Sequence, residues 1–505
     1  MKIKPLFKHD LIRLLRSFTG KEQKRFLTFL KSEFFSTRKA LAVLYSELIK
    51  FHPLYKDSNC TKELLYDAVY PGWQYNGGTM RDLLSELFDA AVEFTSVEAF
   101  RSSNESVQFK IDELRQRGLF KNSHKLLKEK LSQNNFPLKV DSDFFIENYR
   151  LQVKHINLKM IYSNYRGTGS AEQLASDFSK AEEYLLMYTF LENTSNFSNF
   201  LIFEESLQKD GSEKISLIKA KELYNTALYK LFTSESNFNF AIEVYKALLD
   251  AFYRCGKFEW YKKYKALITK HSKKFSEDDL SMHFSKLINC CILGAKYGRS
   301  PDEFNYELVN IYYTFLENGY FRNKKTKFIP PNLFRAIVLH AVKMKKIPWL
   351  LRVINRFADD LLPAERENMK QYAMAFYYYS TGNYGKALET ISTINITQFI
   401  FKYDIYNLKL RIYFEERSYT SALELIHTYS QFLRNDSQMP ASRKAFHRAF
   451  LKYIKRLISI TEGSKKFEAG LEIQKLQNES CAYKDWLTEK LSLFESSKKK
   501  YSMAG

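Results

Sequence analysis

The sequence predicts an all-α fold in which tetratricopeptide-like helical hairpins form a solenoid behind an N-terminal helical module. The first observation is a repeat: residues 371–391 (QYAMAFYYYSTGNYGKALETI) and residues 404–426 (DIYNLKLRIYFEERSYTSALELI) share one register. The second is the small number of turn residues, 17 Gly and 10 Pro among 505, which argues against many short strands. The third is an aromatic content of 16%, which suits helix pairs wedged by large side chains.

Five pairs of positions recur 35 residues apart in the two hairpins. They are Tyr378 and Tyr413, Tyr384 and Tyr419, Ala387 and Ala422, Leu388 and Leu423, and Ile391 and Ile426. An aromatic residue in the first helix and a small Ala in the second are typical of tetratricopeptide repeats. We expect Gly382 to form the turn, since a helix exit requires positive φ. We also expect Ala387 and Ala422 to be buried where the helices cross, with Lys386 facing solvent.

Weaker copies of this hairpin occur elsewhere in the chain. In residues 107–135, Gly118 and Ser123 stand where Gly382 and Ala387 stand later. A single hairpin cannot bury both of its faces, so neighbouring hairpins are expected to stack on it. We therefore divide the chain into an N-terminal helical module (1–100), long helices with a degenerate repeat (101–208), degenerate repeats (214–328), tetratricopeptide-like repeats (332–440), and C-terminal capping helices with a frayed tail (441–505).

The N-terminal module carries local helix signals and one resemblance. Thr19 and Glu22 have the spacing of a capping box and predict a helix start. The segments E-x-K-R-F-L-x-F-L-K-S-E-F-F (22–35), L-L-Y-D-A-V-Y-P-G (64–72) and M-R-D-L-L-S-E-L (80–87) resemble the N-terminal region of a family of large, uncharacterised helical proteins of Bacteroidetes-type bacteria. That resemblance implies a bacterial, cytoplasmic origin, and no activity comes with it.

Sequence motifs of common catalytic and metal sites are missing. There is no G-x-x-x-x-G-K-[ST] loop, no H-E-x-x-H, no G-x-S-x-G and no C-x-x-C. Cys290 and Cys291 lie within an apolar run, which favours buried structural thiols over a nucleophile. The acidic pair at 278–279 is expected on a solvated helix face or in a first turn. The sequence therefore predicts no enzyme, no cofactor and no metal site.

The net charge of +21 is the one feature that suggests a binding function. Basic residues cluster in three segments: Lys262, Lys263, Lys265, Lys270, Lys273 and Lys274; Arg322, Lys324, Lys325 and Lys327; and Lys343, Lys345 and Lys346. Because the charge is spread along the chain, a solvated surface is favoured over a nucleic-acid site.

The remaining sequence features concern the compartment and the partner. Five cysteines, an odd number, favour a reduced intracellular protein. No signal peptide and no apolar run of about 18 residues is recognisable, so no membrane span is expected. We expect a non-enzymatic scaffold that binds a protein or peptide in a bacterial cytoplasm. The alternative is a basic helical-repeat protein that associates weakly and non-specifically with nucleic acid.

Overall fold

The computed structural model describes residues 9–35, 38–53, 55, 60–134, 139–166, 171–207, 238–323, 326–363, 365–396, 401–437, 439, 441–462 and 469–502. In these residues the regular structure consists of 22 α-helices with a few short 3-10 turns, and strands are represented only by isolated bridges. The predicted all-α class is confirmed. The predicted loop at 209–212, together with Lys324 and Lys325, lies outside the described residues.

The first nine helices precede the undescribed residues 208–237. They are α1 (Asp10–Arg16), α2 (Gly20–Lys31), α3 (Lys39–Leu48), α4 (Lys62–Val69), α5 (Gly77–Ser102), α6 (Asn104–Gln116), α7 (Phe120–Asn134), α8 (Ser142–Arg166) and α9 (Ala171–Leu207). The capping box predicted at the start of α2 is present, because the Thr19 hydroxyl accepts from the Glu22 amide and the Glu22 carboxylate accepts from the Thr19 amide.

Thirteen helices follow in the described part of the second half. They are α10 (Asn239–Tyr253), α11 (Phe258–His271), α12 (Glu277–Tyr297), α13 (Pro301–Glu317), α14 (Pro331–Lys343), α15 (Ile347–Phe357), α16 (Arg366–Ser380), α17 (Tyr384–Thr393), α18 (Lys402–Glu415), α19 (Tyr419–Asn435), α20 (Ala441–Thr461), α21 (Ala469–Asn478) and α22 (Lys484–Ser502). The helix α22 extends to Ser502, so it includes most of the C-terminal tail.

Consecutive helices of the second half pack as pairs. The pairs are α10 with α11, α12 with α13, α14 with α15, α16 with α17, and α18 with α19. Each second helix also contacts the first helix of the next pair, and α16 contacts both α14 and α18. One apolar core contains buried residues of these pairs from Phe238 to Ile412, together with Val140, Phe145 and residues between 187 and 201, as expected when no single hairpin can bury both faces.

Glycines form the hairpin turns that the repeat predicts. Gly382 adopts a φ of +75° between α16 and α17, and Gly118 adopts +76° between α6 and α7. A residue with a side chain is strained at such angles, whereas glycine is not. After the first turn, Asn383 caps α17 by accepting from the Lys386 amide. The local sequence therefore determines where these helices end and begin.

The chain divides into two compact units. The first contains Met1–Phe136 and Glu147–Ala181, and the second contains Pro137–Ile146 and Glu182–Gly505. In the first unit, α1, α2 and α3 pack against α5 around a core of their own. The five segments predicted from the sequence are finer than this division and stay a prediction.

Candidate functional site

The repeat positions are structural. Ala387 and Ala422 are fully buried within their helix pairs, and Lys386 is exposed. Tyr384 is half-buried, with its ring 5.8 Å from that of Tyr379 on α16. These side chains fill space between helices, so they are not candidates for binding.

Leu423 departs from the predicted apolar stripe. Its side chain is 38% exposed, although the equivalent Leu388 is half-buried. The buried side of α19 consists of Ala422, Ile426, Tyr429 and Leu433, spaced i, i+4, i+7 and i+11. Position 423 is rotated by about 100° from that line, which turns it towards solvent. The expectation that Leu423 repeats the role of Leu388 is wrong.

A polar stripe runs along α18 and is fully buried. It consists of Asp404, Asn407 and Arg411, at i, i+3 and i+7. Arg335 on α14 donates to both oxygens of Asp404, and Tyr372 on α16 donates to Oδ2 at 3.0 Å. Burial and the Asp404 charge raise the pKa of Tyr372 well above its usual value, so the phenol stays a donor. The carboxylate thus ties three helices together.

Arg411 is the most unusual member of this stripe, because it is 4% exposed and has no carboxylate partner among the described residues. Its guanidinium lies 4.6 Å from the ring of Tyr379 and 3.9 Å from that of Tyr483. Two of its nitrogens, Nε and Nη2, lack a hydrogen-bond partner in the described structure. Stacking between two aromatic faces is the stabilisation that remains for this charge.

The chain itself covers this side of α18. Next to Tyr483, the indole N–H of Trp486 donates to the Glu415 carboxylate at 2.9 Å. Lys490 pairs with the same carboxylate at 2.8 Å. The segment that leads into α22 therefore occupies a surface of α18 that a partner would otherwise reach.

A second polar stripe is buried on α12. Asp279, His283, Lys286 and Cys290 follow one another at helical spacing. Lys286 donates to the Ser195 carbonyl at 3.0 Å and to the Asn199 side chain, and burial lowers its pKa to about 8. The Lys286 ammonium thus has neutral oxygen acceptors where a carboxylate would be expected.

The acidic pair at 278–279 lies in the first turn of α12, which is one of the two placements that the sequence predicts. Asp279 itself is buried. The Tyr245 hydroxyl lies 3.2 Å from a carboxylate oxygen of Asp279, and burial raises the pKa of the Asp279 carboxyl well above the usual value. From the sequence of α12 alone, the face that carries Asp279 would be expected to be exposed to solvent. Helices packed on α12 cover this face.

The histidines and thiols act as packing groups. Burial lowers the pKa of His283 to about 3, and its neutral Nδ1 lies 2.7 Å from the Tyr264 hydroxyl. His340 is buried, with its Nε2 2.8 Å from the Asn305 carbonyl, while His427 is exposed. Burial raises the pKa of the Cys290 thiol well above its usual value, which keeps it protonated.

The basic segments have different surroundings. Five lysines in and after α11 are exposed, and none forms an ion pair with a carboxylate in the part of the chain that is described: Lys262, Lys263, Lys270, Lys273 and Lys274. Lys265 pairs with Glu307 on α13. Arg322 pairs with Asp360 at 2.6 Å, so it does not belong to a free basic surface.

The helix next to these lysines carries exposed aromatic residues. Glu307 on α13 accepts from the Tyr261 hydroxyl at 3.0 Å and from Lys265, which joins α13 to α11. On the outer side of α13, Tyr306 is 59% exposed, Tyr313 is 51% exposed, and Asn310 lies between them. We call the exposed lysines of α11 and this stripe of α13 the basic–aromatic surface.

The described residues offer no metal site or membrane helix. No group of three or more His, Cys, Asp or Glu side chains is placed to hold a metal ion there. Within the same residues, no helix is long and apolar enough to cross a bilayer. No disulfide joins any of the five cysteines, all of which lie in the described part of the chain.

Comparison with protein-family models, with curated proteins and with solved structures found no match. No family is identified for the chain by this route, and the resemblance of its N-terminal motifs stays a prediction. The structure itself shows a large all-helical protein built with paired helical hairpins.

Proposed function

We propose that this chain is a non-enzymatic helical-repeat protein that binds a protein partner through the basic–aromatic surface. Its helix pairs would form a tetratricopeptide-like superhelix, and its place of action would be a bacterial cytoplasm. The observation that carries the proposal is the exposed Tyr306–Asn310–Tyr313 stripe on α13, a helix that Glu307 joins to the lysine-bearing helix α11.

The buried polar stripes of α12 and α18, each the first helix of its pair, do not offer such a surface. Tyr372 and Tyr483 cover the stripe of α18, and Tyr245 and Tyr264 cover that of α12. A partner must therefore bind elsewhere, and the second helices α11 and α13 expose the side chains suited to it. The proposed surface therefore lies on α11 and α13, the second helices of their pairs.

The composition of the α13 stripe resembles that of protein-binding surfaces. Tyrosine supplies large contact area at a low entropic cost, and asparagine supplies adaptable hydrogen bonds. Positions i, i+4 and i+7 lie on one side of a helix, so Tyr306, Asn310 and Tyr313 can contact one bound segment together. Burying the two exposed rings would remove their apolar area from water.

The charge of this surface selects an acidic partner. The side chains of Lys262, Lys263 and Lys270 extend from α11, and Lys346 lies 5.9 Å from the Tyr306 ring. A segment with carboxylates and an apolar side chain would complement both parts of the surface. Complementary charge mainly accelerates association, so the binding rate should fall with salt.

Nucleic acid is the second candidate, because the same five lysines could contact phosphates. Their arrangement argues for weak binding. The ammonium groups of Lys262, Lys263 and Lys274 lie 5.4, 5.3 and 4.7 Å from the rings of Phe258, Trp260 and Phe240. Stacking of bases on aromatic rings strengthens the binding of single-stranded nucleic acid. The lysine side chains occupy these ring faces, so the bases cannot stack on them.

Capture of partners from the native cell tests both candidates. The tagged full-length chain is compared with a Tyr306→Ala, Tyr313→Ala double variant, and Tyr297→Ala serves as the control because Tyr297 is similarly exposed on α12. We expect one protein to be retained with and without nuclease, to be lost with the double variant and to be kept with the control.

Other results would change the assignment. Equal retention by the double variant and the wild type would contradict the proposed surface. Loss of all retained protein after nuclease treatment, together with loss on replacing Lys262, Lys263 and Lys270 by Gln, would favour nucleic acid. In that case binding should weaken steeply between about 50 and 200 mM salt.

A further inference from the structure

An open cleft lies between α2 and α5 of the N-terminal module. Its volume is about 650 Å³, within the usual range of small-molecule pockets. Residues at i, i+3, i+4 and i+7 line it on both sides: Arg25, Thr28 and Phe29 of α2 with Ser32 directly after that helix, and Phe94, Val97, Glu98 and Arg101 of α5. Phe35 and Ser102 complete the lining.

The floor of the cleft is aromatic. The ring of Phe29 lies 4.4 Å from that of Phe35 and 5.6 Å from that of Phe94. Phe34, which is 87% exposed, continues this apolar surface with its ring 4.8 Å from Phe35. An isolated exposed phenylalanine needs no explanation, but one at the edge of an aromatic cleft extends the area that a ligand can cover.

The rim of the cleft is positively charged. Glu98 pairs with Arg25 at 2.5 Å, whereas its closest approach to Arg101 is 3.9 Å. The side chains of both arginines are about two-thirds exposed. Two guanidinium groups and one carboxylate leave one positive charge, and Arg101 is too far from Glu98 for a good hydrogen bond.

We propose that this cleft binds an apolar carboxylate, with the apolar group on the aromatic floor and the carboxylate on Arg101. The planar guanidinium of arginine binds a carboxylate through two parallel hydrogen bonds, so the free fork of Arg101 matches such an anion. The residual positive charge of the rim disfavours an apolar cation. The phenylalanine rings disfavour a ligand that is polar throughout, because it would lose its hydration without replacement hydrogen bonds.

Three ligands of the same shape test the charge requirement. We would titrate the full-length chain by calorimetry with 4-phenylbutyrate, 4-phenyl-1-butanol and 4-phenylbutylamine. The acid is expected to bind at one site per chain, about tenfold more tightly than the alcohol, since one charge-assisted contact is replaced by a neutral one. The amine is expected to bind more weakly than the alcohol.

Two tryptophan substitutions test the location. Thr28 is an exposed lining residue, so Thr28→Trp fills the cleft without disturbing the core. Ser96 is exposed on α5 and does not line the cleft, which makes Ser96→Trp the matched control. Binding of 4-phenylbutyrate should be lost with Thr28→Trp and kept with Ser96→Trp.

Two charge substitutions test the role of the rim without depending on shape. Arg101→Gln should weaken 4-phenylbutyrate binding about tenfold and leave the alcohol unchanged. Glu98→Gln should have the opposite effect and tighten binding of the acid, because it removes the competing carboxylate. If the cleft does not bind the carboxylate, the two substitutions would not change the affinity for 4-phenylbutyrate in opposite directions.

Two sources supply such a carboxylate, a free acid and the end of a peptide chain, and these can be distinguished. Acetyl-Gly-Phe with a free carboxylate and its amide would be titrated alongside 4-phenylbutyrate. Tighter binding of the free peptide, with the same dependence on Arg101, would identify a chain terminus as the source. The proposal is overturned if the alcohol binds as tightly as the acid, or if both tryptophan variants behave alike.

Discussion

Arginine and aromatic side chains meet in two regions of this molecule, with opposite outcomes. In the N-terminal cleft, Arg25 and Arg101 line the same pocket as three phenylalanine rings, with 66% and 67% of their side chains exposed. Around α18, Arg411 is 4% exposed between two tyrosine rings, and Arg335, whose side chain is 31% exposed, lies 5.3 Å from the ring of Phe401. The residue types are alike, so composition does not explain the difference.

The difference comes from the number of elements around the cluster. The N-terminal cleft is lined by side chains of two helices, α2 and α5, together with those of Ser32 and Phe35. Around the α18 stripe, α14, α16 and α20 all contribute side chains, and Tyr483 covers Arg411. A closed polar cluster must satisfy its groups internally, whereas an open one can bind solvent or a ligand. We therefore expect mutations to affect stability in the closed region and binding in the open one.

The largest expected loss of stability comes from Asp404→Asn. The substitution preserves the shape of the side chain but leaves the Arg335 guanidinium without its counter-charge in a buried setting. Removing one partner of a buried pair costs about 3 kcal/mol or more. The free energy of unfolding from urea titration would measure it.

Glu317→Gln is the control for this prediction. Glu317 pairs with Arg356, whose side chain is 63% exposed. Such a pair should contribute less than about 1 kcal/mol. Equal losses for Asp404→Asn and Glu317→Gln would mean that the α18 cluster is not closed.

The second prediction concerns pH and depends on His447. Burial lowers the pKa of this side chain to about 4, and the Asn407 amide donates to its Nδ1 at 3.2 Å. The unfolded chain has a histidine pKa near 6.5, so it binds the proton first as the pH falls. Stability from this group is therefore complete above about pH 6.5 and is lost progressively towards pH 4.

The size of this loss can be bounded. A difference of roughly 2.5 pKa units between folded and unfolded states corresponds to about 3 kcal/mol. His447→Gln should remove this part of the pH dependence, as measured by urea midpoints from pH 7 to pH 4. An unchanged profile in the variant would show that His447 can be protonated in the folded chain.

The third prediction tests packing within a helix pair. Ala387 is fully buried, so Ala387→Phe should overpack the contact of α16 with α17 and cost about 1–3 kcal/mol. Lys386→Phe on the exposed side should cost less than about 0.5 kcal/mol. Hydrogen exchange would show whether the loosening spreads to α18 and α19, as stacked repeats predict. Loosening that begins in residues 9–102 would contradict the register.

Local signals in the sequence predicted the ends of several helices correctly. Gly382 and the Thr19 capping box act through their own backbone and their immediate neighbours, so one stretch of sequence contains the whole cause. The burial of Ala387 was predictable for the same reason, since a small residue within an apolar helical stripe allows close approach. The helix class and the pairing of helices followed from such signals.

Features that depend on distant helices were not predictable. Asp404 and Asp279 look like solvent-facing residues on their own helices, and only the helices packed against them reveal their burial. The signal that was available is the spacing of Asp404, Asn407 and Arg411 on one face of a helix, with the apolar residues Ile405, Leu408 and Ile412 next to them. The N-terminal cleft gave no signal, because Phe29 and Phe94 each look like an ordinary core residue.

The smallest expected effect on stability concerns the open rim of the N-terminal cleft. Arg25→Gln breaks the contact with Glu98, but both groups can reach water, and exposed ion pairs contribute little. The unfolding free energy should change by less than about 0.5 kcal/mol.

A double-mutant cycle with Arg25→Gln and Glu98→Gln should give a coupling below about 1 kcal/mol that falls with salt. The same cycle with Arg335→Gln and Asp404→Asn should give a larger coupling that salt hardly changes, because salt screens buried pairs much less. Similar couplings and salt dependences in the two cycles would remove the distinction between an open and a closed cluster.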